Sequence, residues 1–138
     1  MGRLIAETGN YAISVDREDS RLYVTLRGFW LDPFMTPDYV EDIRLATESL
    51  VSPFTSLVDV REMRTPGHLV RDLHIEAQKV TVAAGLTRSA EVFPKGISKE
   101  LEFESYSVES KIVRRGFKSI EEAEKWLDQP DCSAPQSI

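Results

Sequence analysis

One unit recurs along this chain: a short apolar run, a polar helix-starting signal, then an amphipathic stretch of helical period. It is plainest from Thr55 to Ala84, where Ser56-Leu57-Val58-Asp59-Val60 gives way to Thr65-Pro66-Gly67 and a long helical pattern. It returns near the end, in Lys111-Ile112-Val113-Arg114-Arg115-Gly116 followed by Ser119 and the helical Ile120–Leu127. Strands that alternate with helices are joined by crossovers, which set neighbouring strands parallel and lay the helices on the sheet. The pattern predicts an α/β fold.

Two strands come before the first crossover. Tyr11–Asp16 and Arg21–Arg27 are separated by the short polar stretch Arg17-Glu18-Asp19-Ser20, and Leu22, Val24 and Leu26 alternate with Tyr23, Thr25 and Arg27. A period of two over a short connection predicts a β-hairpin with one buried face. Thr36-Pro37 then starts a helix whose apolar positions are Tyr39, Ile43, Ala46 and Leu50. The third strand is Phe54–Val60, and Arg61-Glu62-Met63-Arg64 follows it as a charged loop. Thr65-Pro66 opens a second helix with Leu69, Leu73, Ala77, Val80 and Ala84 inward, ended by Gly85. Thr87–Phe93 is a fourth strand, polar for a central one because of Arg88 and Ser89. Ile97–Ser110 fits neither period, but its place between two strands calls for a helix. Lys111–Gly116 is a charged edge strand, and Ser119 with Glu122 forms a capping box for the last helix. The expectation is a mixed five-stranded sheet with about four helices in one domain, residues 11–127. Residues 1–10 form a lead-in and 128–138 a polar, flexible tail.

Composition narrows the functions. The 138 residues carry 17 Lys and Arg against 23 Asp and Glu, a net charge of −6. Nucleic acids and anionic membranes need a basic field, so neither is an expected partner. No run approaches the ~20 apolar residues of a membrane span, and Met1–Glu7 is too short in apolar residues for a secretory leader. A cytoplasmic protein is expected. Cys132 is the sole cysteine, which excludes an internal disulfide and a cysteine-clustered zinc site. No Gly-rich phosphate cradle and no GxSxG elbow occurs. His68 and His74 are six positions apart, about 600° around one helix, so they face different ways and do not make a metal pair. No cofactor and no metal are expected.

Three features remain as candidate sites. His68 falls in the first turn of the second helix, at the carboxyl end of the third strand, where open α/β sheets bind ligands. It is either a contact or acid–base group there, or a polar residue on an exposed helix start. Thr65 is either a plain helix cap or a phosphoacceptor, whose phosphate would sit at a helix amino end. The Phe29–Met35 loop, with Phe29, Trp30, Leu31, Phe34 and Met35, holds more apolar surface than a solvated loop needs. It either folds under as a satellite of the core or forms a ligand or partner surface.

The order of elements resembles the SpoIIAA-like family, whose fold is shared by STAS domains and related in shape to Sec14-type lipid-binding domains. The matching pieces are the opening hairpin, the Leu57-Val58-Asp59-Val60 strand before a loop and long helix, and the closing Gly116-Phe117-Lys118-Ser119-Ile120-Glu121-Glu122-Ala123-Glu124-Lys125-Trp126-Leu127. In phosphorylated STAS switches an Asp-Ser-Ser-Gly-Leu pattern starts the helix after the third strand. Here that place reads Arg64-Thr65-Pro66-Gly67-His68-Leu69, leaving Thr65 as the residue able to take phosphate. The resemblance implies a non-enzymatic regulatory or binding domain that works through a protein partner, a homodimer or a small apolar, lipid-like ligand. Phe29, Trp30, Phe34, Arg64 and His68 would make the contact. The alternatives are a small enzyme using His68, or a Thr65 phosphoswitch of the anti-sigma factor antagonist type.

Overall fold

A computed structural model of the protein describes residues 2–28, 38–63, 71–92 and 113–129. Six strands form one sheet: β1 (Gly2–Glu7), β2 (Tyr11–Asp16), β3 (Arg21–Gly28), β4 (Phe54–Met63), β5 (Leu86–Val92) and β6 (Val113–Phe117). They lie in the order of the chain. The β1–β2 and β2–β3 pairs are antiparallel, whereas β3, β4, β5 and β6 are mutually parallel. Among the described residues three helices accompany them: α1 (Tyr39–Glu48), α2 (Arg71–Ala84) and α3 (Ile120–Asp128). The expected mixed α/β sheet is present, with six strands rather than five. The extra strand is β1, from residues read as a lead-in, which pairs with β2 from Gly2↔Asp16 to Glu7↔Ala12. Its sequence offered one short apolar run, Leu4-Ile5-Ala6; it is the pairing with β2 that fixes it as a strand. The helix expected at Ile97–Ser110 lies outside the described residues, as does the tail from 130 onward.

The hairpin follows from its sequence. Burial alternates residue by residue along Tyr11–Asp16, as a period of two requires. Asp16 Oδ1 accepts from the backbone N–H of Glu18 at 3.0 Å and of Asp19 at 3.2 Å, which closes the turn. Those bonds, the one from Asp19 foremost, hold the Asp16 carboxyl below its usual range.

α1 begins at Tyr39, with Asp38 as its cap residue, and buries Tyr39, Ile43, Ala46 and Thr47. In α2 the described part of the expected stripe is inward: Ala77 is buried, and Val80 and Ala84 are half-buried. Gly85 ends α2 at φ +120°, and a Cβ there would collide with the Ser52 side chain. Both conformation and space therefore require glycine. At α3, Ser119 Oγ accepts from the Glu122 N–H at 3.2 Å, the cap that the sequence implied.

The helices divide between the two faces of the sheet. α1 and α2 cover one face over a large cluster that includes Tyr11, Ile13, Val15, Leu22, Val24, Leu26, Ile43 and Phe54. α3 covers the other over Leu57, Ala90, Val92, Ala123 and Leu127. Arg88, which made β5 look too polar for a central strand, faces α3 and is buried. Its guanidinium donates to the carbonyls of Trp126 and Leu127 at 3.2 Å and of Gln129 at 2.9 Å, and lies 5.3 Å from the centre of the Trp126 ring. Arg21, 3 % exposed, pairs with Glu124 at 3.2 Å and Asp128 at 2.8 Å. The carboxyl end of α3 carries partial negative charge and unpaired carbonyls; Arg88 satisfies the carbonyls, and Arg21 pairs with the carboxylates of Glu124 and Asp128.

Candidate functional site

The C-terminal ends of the parallel strands supply one candidate surface. β3 and β4 are adjacent, and their last residues, Gly28 and Met63, are register partners. Phe29 and Trp30 follow Gly28 in the chain, and Arg64 and Thr65 follow Met63. Phe29, Trp30, Phe34, Arg64, Thr65 and His68 all lie outside the described residues; the structure fixes the paired strand ends from which their segments depart. Gly28, the last residue of β3, has φ +72°, a conformation that side chains rarely adopt.

The approach to those ends is charged and ordered. β4 runs to Met63, so Arg61, Glu62 and Met63 belong to a strand, where the sequence suggested a loop after Val60. A register shift between Thr25 and Arg27 lets β4 carry one residue more than β3. Beyond it Arg61 and Glu62 are both exposed. Arg27 bridges Glu7 at 3.5 Å and Glu62 at 3.8 Å, tying β1, β3 and β4 together. Arg61 Nη2 lies 2.9 Å from Asp59 Oδ2, and this hydrogen bond is the main reason the Arg61 guanidinium holds its proton more tightly than usual.

A second candidate lies inside. Between the sheet and the α1/α2 pair is a cavity of about 60 Å³, walled by Leu22, Val24, Leu26, Ile43, Val58 and Ala77 but also by Ser56, Gln78, Thr81, Ser89 and Glu91. Ser56 Oγ donates to Ser89 Oγ at 2.9 Å across β4 and β5. Glu91 is 4 % exposed, and Thr81 donates to the Gln78 carbonyl at 2.8 Å. These polar residues were not singled out as a site. The available signal was the run Thr87-Arg88-Ser89-Ala90-Glu91: polar side chains in a strand with parallel neighbours on both sides are buried, and buried polar groups need partners. Arg88 and Ser89, adjacent in sequence, serve opposite faces.

Among the described residues no group of three His, Cys, Asp or Glu could hold a metal, and no helix is long and apolar enough to cross a membrane. His74 belongs to α2.

Two solved structures share this arrangement. One is an uncharacterized protein of the DUF3478 family with a SpoIIAA-like fold, from Shewanella loihica. It aligns with a TM-score of 0.62 at 16 % identity, over 88 % of this chain and 97 % of the other. The fold is SpoIIAA-like. SiaC of Pseudomonas aeruginosa aligns with a TM-score of 0.55 at 10 % identity, over 85 % of this chain and 99 % of its own. No family profile and no curated protein matches the sequence. At such low identities the likeness establishes the SpoIIAA-like fold, which the order of elements had implied, and no residue's role.

Proposed function

We propose that this SpoIIAA-like domain is a regulatory binding module that works through contact with another protein chain, a second copy included, at the C-terminal ends of β3 and β4. One observation carries the reading: the Gly28↔Met63 pairing gives the apolar segment that begins at Phe29 and the Arg64–His68 segment a common point of departure. Large aromatic side chains beside an arginine are the residue types that dominate protein–protein contacts. A lipid-like ligand is the weaker alternative. The interior cavity, about 60 Å³, falls well below the roughly 300–1,000 Å³ of ordinary ligand pockets. Thr65 lies in the Arg64–His68 segment of the sequence, and phosphate on it would add up to about two negative charges there.

The test is site-specific photo-crosslinking in the native cell, with the reactive amino acid placed at position 30 or at position 51. Val51 is 73 % exposed and precedes β4, at the opposite end of the sheet. The expected result is a discrete protein adduct from position 30 and none from position 51. Equal labelling from both, or no adduct at position 30, would remove the proposal.

A further inference from the structure

Among the described residues the sheet ends at β1 and at β6, and the two edges are built differently. β1 carries a bulge between Leu4 and Ala6, and Ile5 and Ala6 both pack against the α1/α2 cluster. A bulge twists an edge and interrupts its row of hydrogen-bonding groups. β6 follows β5 without a break from Arg88↔Val113 to Val92↔Phe117, and among the described residues no strand lies on its far side. Alternate peptide groups of β6 therefore point away from the sheet.

Charge sets this edge apart as well. In a chain of net charge −6, residues 111–118 hold four cations, Lys111, Arg114, Arg115 and Lys118, and no Asp or Glu. Elsewhere Arg21, Arg27, Arg44 and Arg61 each pair with a carboxylate. Arg115 is exposed and rests instead on an aromatic face, its guanidinium 5.7 Å from the centre of the Phe117 ring. Among the described residues it has no carboxylate partner. Lys118 is exposed just beyond the strand, and Val113 is 43 % exposed at its start.

We propose that the outer edge of β6 takes up an extended acidic segment of another protein, which adds to the sheet as a further strand. The backbone row calls for a polypeptide, because another peptide chain presents N–H and C=O groups at the spacing of a strand. A nucleic acid has no such row, and the net charge of the chain opposes it. The cations select the charge of the segment. A second copy paired through β6 would set Arg115 and Lys118 against like charges, which are destabilising across strands. The edge is two strands away from β4 and forms a surface of its own.

The test is amide NMR on the full chain, titrated with an end-blocked heptapeptide of alternating glutamate and valine. The expected result is shifts and slowed hydrogen exchange at Val113–Phe117, with binding about tenfold weaker in Arg115→Glu. Arg115→Gln should show a smaller loss and serves should Arg115→Glu not fold. The same peptide methylated at every backbone nitrogen keeps its charge but cannot donate to a strand, and it should not bind. A lysine–valine peptide should not bind either. No shift at β6, equal binding of the methylated or the lysine peptide, or unchanged affinity in both variants would overturn the proposal. So would a dimer of the chain alone, seen in sedimentation and broken by Arg115→Glu. None of these outcomes bears on the crosslink at position 30.

Discussion

The two faces of this sheet are held by different means. On the α1/α2 face, large side chains from β2, β3 and β4 meet two helices, and apolar burial supplies the hold. On the α3 face, among the described residues, one short helix covers a smaller cluster, Leu57, Ala90, Val92, Ala123 and Leu127. The shortfall in apolar area is made up by direction: Arg21 and Arg88 grip the carboxyl end of α3, and Ser119 caps its amino end. A helix with little to bury can still be fixed by satisfying its two ends.

The largest effect should come from the broad face. Phe54 is 1 % exposed, and Phe54→Ala is expected to cost about 3–5 kcal/mol in urea denaturation. Were Leu127→Ala on the α3 face to cost as much, the division between the faces would fail. Next comes Arg88→Met, which keeps the apolar stem but loses three hydrogen bonds to the end of α3. About 2–3 kcal/mol is expected, with faster hydrogen exchange confined to α3, and Arg88→Lys should recover little because an ammonium cannot fork across those carbonyls.

The third effect belongs to the broad face and to pH. Burial raises the Tyr11 phenol, with its 2.7 Å hydrogen bond to Asp42 raising it further. Burial, then the neighbouring Tyr11, raises that of Tyr39. An unfolded tyrosine loses its proton near pH 10, so above that pH the unfolded chain releases protons that the folded one keeps. Stability is therefore whole below about pH 10 and falls as pH rises beyond it, by roughly 1 kcal/mol per pH unit for each tyrosine. Tyr11→Phe with Tyr39→Phe should flatten that fall in alkaline denaturation, and an unchanged slope would sever it from these two phenols. The smallest effect is Ser119→Ala, about 1 kcal/mol in the same assay.

The legible parts of the fold are those whose signal is local. The hairpin could be read because Leu22, Val24 and Leu26 alternate with polar residues on one strand. α3 could be read because Ser119 and the spacing of Ile120, Ala123 and Leu127 lie within two turns. β1 could not, since its Leu4-Ile5-Ala6 is too short to specify a strand without β2 beside it. Nor could the cavity: Ser56 and Ser89 are 33 residues apart, and only the β4–β5 register places their hydroxyls 2.9 Å from each other.

By itself the sequence determined the α/β class, the hairpin, the end of α2 at Gly85, and the capped closing helix. Each depends on steric or hydrogen-bonding rules that act within a few residues. Only the tertiary structure decided that β1 completes the sheet, that Arg88 grips α3 while Ser89 turns to the cavity, and that Gly28 and Met63 end side by side. Those outcomes depend on strand register, which is set by every side chain packed across the sheet at once and by no single segment.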